Sequence, residues 1–243
     1  MRIYPAIDLK DGQAVRLYKG DYGQVTNYGD PVTQALKWKE MGAKFLHLVD
    51  LDGAKDGKFT NLEAVKNIIN IAKIDCELGG GIRTLDHIDI LLNIGIKRVI
   101  LGSSALNLDF VKQAIDKYGS DKIVIGIDCK NMMVATHGWL NTSNIEATEF
   151  AKKLKAIGVK TIIFTDIKKD GTLEGISVDE TSKMVEVGLD IIASGGAKSL
   201  KDIEDAEKIG CKGIILGKSI YSGEINLKEA IDKFEEPTIN KSR

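Results

Sequence analysis

Two aspartates, Asp8 and Asp128, end apolar runs in matching contexts, Ala6-Ile7-Asp8-Leu9-Lys10 and Gly126-Ile127-Asp128-Cys129-Lys130. Paired carboxyl groups suit acid–base chemistry, because surroundings that push their pKa values apart leave one holding a proton and the other ready to take one. The alternative for either residue alone is a helix cap, or an ion pair with Lys10 or Lys130. Anion binding is a second chemistry in the chain. Gly80-Gly81, Gly102-Ser103-Ser104, Gly195-Gly196 and Gly217-Lys218-Ser219 place glycine where an apolar run meets a helical pattern, and backbone amides freed there receive phosphate. Arg83, just beyond Gly81, offers a planar fork or is a solvated first-turn residue; its counterpart Lys198 suits that geometry less well. Thr165, Asp166 and Asp170 gather a hydroxyl and two carboxylates, although Asp170-Gly171 alone is a turn signal. Trp139, in the polar segment His137-Gly138-Trp139, suits stacking on a flat ring or folds over a rim.

The spacing of these groups repeats. Segment 77–106 realigns without a gap on 192–221, 115 positions later. Asp50 in Leu48-Val49-Asp50 matches Asp166 in Phe164-Thr165-Asp166. Packing alone explains neither paired glycines nor paired aspartates at strand ends, so the reading is two fused half-length copies with two phosphate sites and an elongated, bisphosphorylated ligand.

Eight short apolar runs must carry these residues: 3–7, 45–49, 75–78, 98–101, 123–127, 161–164, 190–193 and 213–216. Helical patterns separate them and stop at Gly42, Gly95, Gly119, Gly158, Gly188 and Gly210, as helix C-termini do. Eight such units in about 250 residues read as an α/β fold, a (β/α)8 TIM barrel built from two duplicated half-barrels. The competing fold is an open doubly wound sheet. The expected organisation is one domain over 1–243, with halves at about 1–120 and 121–235 and a frayed tail at 236–243. Such barrels hold their active site at the C-terminal strand ends. That places Asp8, Asp50, Gly80, Gly102, Asp128, Thr165, Asp166, Gly195 and Gly217 at one mouth, with Asp8 and Asp128 diametrically opposed. Two connections are long: 10–31, carrying Arg16, Lys19 and Asp21, reads as a mobile lid or a structural hairpin, and 130–145 contains Trp139.

Composition excludes other classes. Lys and Arg total 34 against 35 Asp and Glu, for a net charge of −1, and no basic block with interleaved aromatics points to nucleic acid. Cys76, Cys129 and Cys211 lack metal-ligand or disulfide-framework spacing, which fits a reducing cytoplasm. His47 and His87 read as structural, on a strand and a helix, and no histidine cluster suggests a metal. Neither a signal peptide nor a membrane-length apolar run is expected.

The ordered set Ala6-Ile7-Asp8-Leu9, Val15-Arg16-Leu17, His47-Leu48-Val49-Asp50-Leu51-Asp52-Gly53-Ala54, Gly79-Gly80-Gly81-Ile82-Arg83, Gly138-Trp139, Thr165-Asp166-Ile167, Asp170-Gly171-Thr172-Leu173 and Ala193-Ser194-Gly195-Gly196 covers nearly the whole chain. It resembles the family of phosphoribosylformimino-aminoimidazole carboxamide ribotide isomerases of histidine biosynthesis. That resemblance implies an Amadori rearrangement of an aminoaldose to an aminoketose, without cofactor or metal, on a small substrate with a phosphate at each end. It implies Asp8 as general base at C2, Asp128 as general acid at the ribose ring oxygen, and Thr165 assisting beside them. It implies Arg16, Arg83, Trp139 and Asp170 as substrate contacts, and Gly81, Gly102, Ser103, Gly171, Gly196 and Gly217 as phosphate ligands. Ala197-Lys198 departs from the family pattern and leaves any role of Lys198 unassigned. Three alternatives stand beside this reading. The related cyclase shares fold and paired aspartates, but Val15-Arg16-Leu17, Gly138-Trp139 and Thr165 favour the isomerase. A bifunctional isomerase also accepts phosphoribosylanthranilate, and Gly79 stands where that variant carries serine. The third is a catalytically dead phosphosugar-binding barrel. A monomer is expected, with no nucleic-acid or membrane partner.

Overall fold

A computed structural model describes residues 1–136, 139 and 141–235, with 141 and 142 as backbone alone; His137, Gly138, Leu140 and the tail 236–243 lie outside the described residues. The strands are β1 (Arg2–Lys10), β2 (Gln13–Tyr18), β3 (Asp21–Gly29), β4 (Phe45–Asp50), β5 (Asp75–Gly79), β6 (Arg98–Leu101), β7 (Ile123–Lys130), β8 (Met133–Thr136), β9 (Asn141–Glu146), β10 (Thr161–Asp166), β11 (Asp190–Ser194) and β12 (Gly213–Leu216). Eight of them pair in parallel in the order β1-β4-β5-β6-β7-β10-β11-β12, and β12 pairs back onto β1, closing the ring. The chain folds as a (β/α)8 barrel, not an open sheet.

Helices between the strands follow from local chemistry. The helix Leu85–Asn93 starts at Thr84, whose hydroxyl accepts the His87 N–H at 3.2 Å. It buries Ile88 and Leu91 completely, each worth about 1.5–3 kcal/mol, and ends before Gly95 at φ 106°. Truncating Leu91 to alanine would cost about 2–5 kcal/mol.

Alternation along each strand decides what faces the barrel interior. Ile3, Ile7 and Leu9 pack outward against the helices. Tyr4, Ala6, Phe45, Ile100, Val124, Ile163, Ile192 and Ile215 form the separate inner core. Continuing that parity toward the C-terminal ends places Asp8 above Ala6, Asp128 above Val124 and Thr165 above Ile163.

Among the described residues, both long connections carry antiparallel strands. β2 turns back on β1 with Asp8 opposite Val15, and β3 follows β2. β8 turns back on β7 in the same way, with Cys129 opposite Val134. Asp11-Gly12 at φ 50° and 74°, and Asn131-Met132 at φ 53° and 61°, make the two tight turns. Asp-Gly is among the strongest short-range hairpin signals, so the hairpin alternative for 10–31 describes its structure. Among the described residues no helix is long and apolar enough to cross a membrane.

Candidate active site

Asp8 on β1 and Asp128 on β7 face each other across the ring, four strands apart in either direction. Asp8 is 8% exposed and pairs with Arg16, whose Nη1 lies 2.9 Å from Oδ2. This excludes the expected alternative of a pair with Lys10, which binds Asp11 instead. Burial holds the Asp8 pKa above the usual aspartate value; the Arg16 cation pulls it down and Asp170 pushes it up. Asp128 is also raised, chiefly by burial, against hydrogen bonds from Trp139 and Thr165 that lower it. The Trp139 Nε1–H donates to Asp128 Oδ2 at 2.8 Å. Thr165 is buried and sits opposite Asp128 in the β7–β10 register. Both carboxyl groups are thereby moved toward the pH range where proton exchange is useful, but one faces a cation and the other neutral donors.

The hairpins hold these partners in place. Arg16 sits on β2, with Nη2 3.8 Å from Asp170. A Cβ at Gly217 would meet that Nη2 at 2.4 Å, so only glycine lets the guanidinium lie there. Gly171, at φ 70°, packs on the Leu17 carbonyl, where a Cβ would lie 3.0 Å away. Gly20 in the β2–β3 turn lies against the Trp139 ring. Trp139 itself has φ 72°, an uncommon conformation for a bulky residue that the surrounding contacts must hold. The cavity beside Gly102, Ser103, Asp128 and Trp139 measures only about 20 Å³.

The glycine groups show matched geometry. A Cβ on Gly81 would lie 2.1 Å from the Gly53 carbonyl, and one on Gly196 would lie 2.3 Å from the Gly175 carbonyl, at φ 74° and 87°. Gly102 (φ −92°, ψ −113°) and Gly217 (φ −106°, ψ −105°) precede short helical turns with nearly the same backbone. Two residues beyond each, the Ser104 and Ser219 hydroxyls are buried without a partner among the described residues. Lys218 donates from Nζ to the Gly171 carbonyl at 2.9 Å, tying the second group to the loop after β10.

Other expected mouth residues are absorbed by structure. Asp50 caps the helix Leu51–Asp56 through the Gly53 N–H at 2.9 Å and accepts from Asn61 Nδ2 at 2.6 Å. Asp166 accepts from the Lys168 N–H and the Ser177 hydroxyl. Arg83 is exposed at the rim with its guanidinium against Gly57, apart from the Arg16–Asp8 group. His47, read from the sequence as structural on a strand, is buried on β4 and faces the barrel interior with the same parity as Phe45.

A family model described as histidine biosynthesis protein matches residues 2–226. The chain belongs to the histidine biosynthesis protein family. Curated members include a protein of Lachnoclostridium phytofermentans, 47% identical over 97% of this chain and 100% of its own length. Others are from Clostridium botulinum strain Langeland (51% identical, 95% of this chain, 96% of the relative) and Acetivibrio thermocellus (48%, 96% and 99%). Each is named 1-(5-phosphoribosyl)-5-((5-phosphoribosylamino)methylideneamino) imidazole-4-carboxamide isomerase. In this chain Arg16 links Asp8 to Asp170 on one side of the mouth, Trp139 and Thr165 stand beside Asp128 on the other, and the glycine groups lie on opposite sides of the ring.

Proposed function

We propose that the chain catalyses the Amadori rearrangement of the formimino aminoimidazole carboxamide ribotide in histidine biosynthesis, with Asp8 as base and Asp128 as acid. One observation carries the assignment of roles: Arg16 lies 2.9 Å from Asp8, while Asp128 has neutral donors in Trp139 and Thr165. A cation favours the carboxylate, so Asp8 is the group better kept ionised, and Asp128 the one readier to hold a proton. Asp128 gives its proton to the ribose ring oxygen and the ring opens to a Schiff base. Asp8 removes the C2 proton, giving an enaminol. Return of a proton to C1 and loss of the hydroxyl proton leave the aminoketose. The C1–O bond broken on ring opening is replaced by the C1–N double bond of the Schiff base, the remaining changes are proton transfers, and no electrons leave the substrate.

The substrate spans the mouth, with one phosphate at Gly81, Gly102 and Ser103 and the other at Gly171, Gly196 and Gly217. The buried hydroxyls of Ser104 and Ser219 are placed to serve them. Trp139 leaves Asp128 to stack on the substrate, and Arg83 swings from Gly57 to reach it. Gly79, where the bifunctional variant tends to carry serine, favours the single-substrate reading. The halves, about 1–120 and 121–235 within one domain, are read as duplicated copies, and the enzyme as a cytoplasmic monomer. Incubating the purified protein in parallel with the formimino aldose and with phosphoribosylanthranilate, and identifying products, tests this: conversion of the first alone supports it, and conversion of neither refutes it.

A further inference from the structure

One ionisable cluster lies inside the barrel below the two aspartates. His47 on β4 registers with Glu77 on β5, and Glu77 with Arg98 on β6. Glu77 is fully buried, with Oε1 2.8 Å from His47 Nδ1 and Oε2 bound by Arg98 Nη2. The Arg98 guanidinium lies 5.2 Å from the centre of the Tyr4 ring and 5.0 Å from that of Phe45. A buried ion pair is commonly no better for stability than apolar residues of the same volume, so this cluster calls for a reason beyond folding.

Its geometry supplies one. Glu77 engages Nδ1, and among the described residues Nε2 has no partner. The His47 side chain is 11% exposed while that of Glu77 is 0%, so the accessible edge of the imidazole is the one turned away from Glu77. In the β1–β4 register His47 pairs with Ala6, one inward-facing position below Asp8. The charged groups around the ring are Asp8 on β1, Glu77 on β5, Arg98 on β6 and Asp128 on β7. A carboxylate behind one nitrogen of a histidine fixes which nitrogen carries the proton and how the ring is turned.

We propose that His47 presents Nε2 to a hydroxyl of the opened sugar between Asp8 and Asp128, and that Glu77 and Arg98 are positioning residues acting through it. This rests on the isomerase reading. With Nδ1–H donated to Glu77, the neutral ring offers a lone pair at Nε2, which accepts the hydrogen of the hydroxyl on C2 as that oxygen becomes the ketone.

Steady-state kinetics on three variants test it beside the wild type. His47→Asn keeps an amide near the Nδ1 position for Glu77 but puts nothing at Nε2. It should lower kcat about 10- to 100-fold, with KM within about threefold. His47→Gln, whose amide lies nearer Nε2, should recover part of that loss. The double variant Glu77→Met/Arg98→Met replaces the ion pair by apolar side chains; its Tm should equal or exceed that of the wild type, while kcat falls about tenfold. Imidazole ¹⁵N spectra should show the Nδ1–H tautomer of His47 in the wild type and a mixture in the double variant. A kcat within twofold of wild type in His47→Asn overturns the role of His47. Unchanged kcat and tautomer in the double variant overturn the positioning role. Failure of the wild type itself to turn over the aldose is a failure of the isomerase reading, whereas wild-type turnover with an unaffected His47→Asn is a failure of this inference alone.

Discussion

Replacing Arg16 by methionine removes the cation while leaving most of the side-chain volume on β2. The pair it breaks has a separation of 2.9 Å, and its side chains are 11% and 12% exposed, so solvent screens it weakly. At an effective dielectric of about 20 the attraction is about 6 kcal/mol. Most of that offsets desolvation, and removing one partner of a buried pair typically costs about 3–5 kcal/mol. The cost falls on the Asp8 carboxylate, which burial and Asp170 already disfavour. Its pKa rises further, and the base is protonated over a wider span of pH. We expect kcat/KM at neutral pH to fall about 10²- to 10³-fold, the acid limb of the pH–rate profile to move to higher pH, and part of the loss to return in alkali. Stability should change with the same sign. An aspartate whose folded pKa lies above its unfolded value loses stability as pH rises through that window, so the deficit of the variant should be largest at neutral and alkaline pH and shrink as pH falls below the ordinary aspartate range. Urea unfolding across that span, together with the pH–rate profile, measures both. A uniform rate loss with no movement of the acid limb would refute the reasoning and reduce Arg16 to a binding contact.

Gly196→Ala should destabilise the fold by roughly 1–3 kcal/mol, because its Cβ would strike the Gly175 carbonyl at 2.3 Å; urea unfolding would show this, and KM for the phosphorylated substrate should rise. A crystal grown in sulfate should show one anion at Gly81 and Gly102 and another at Gly196 and Gly217, and density at one side only would argue against a bisphosphate. Trp139→Phe removes the donor on Asp128 and should lower kcat; in a Trp38→Phe background, emission from Trp139 should change when substrate binds. That background is needed because Trp38 is 1% exposed and lies edge-on to Tyr221 at 5.1 Å.

The barrel was legible because its signals are local and repeated. Apolar runs buried on both faces gave all eight barrel strands, and glycines such as Gly95 and Gly158, at φ 106° and 100°, mark helix ends whatever the tertiary context. Asp8 and Asp128 were legible by position, since a strand-end residue in this fold faces the mouth. Side-chain partnerships were not. Arg16 follows Asp8 by eight positions, and only the Asp11-Gly12 turn brings it back onto that carboxylate. Asp50 and Asp166 carry the same strand-end pattern as the paired aspartates, yet outward parity turns them to capping. His47 looked like a core residue because neither Glu77 nor Arg98 is near it in sequence; pairing across three strands creates the cluster.

The central claim is that Asp8 takes the C2 proton and Asp128 opens the ring, and the most direct test uses the aldose deuterated at C2. Wild-type enzyme should form the ketose with a primary isotope effect on C2–H cleavage. Asp8→Asn and Asp128→Asn should each bind the substrate and lose roughly 10²–10⁴ in kcat, with C2 keeping its deuterium in the Asp8 variant. Ketose formation and loss of deuterium from C2 at near wild-type rates in Asp8→Asn would contradict the account.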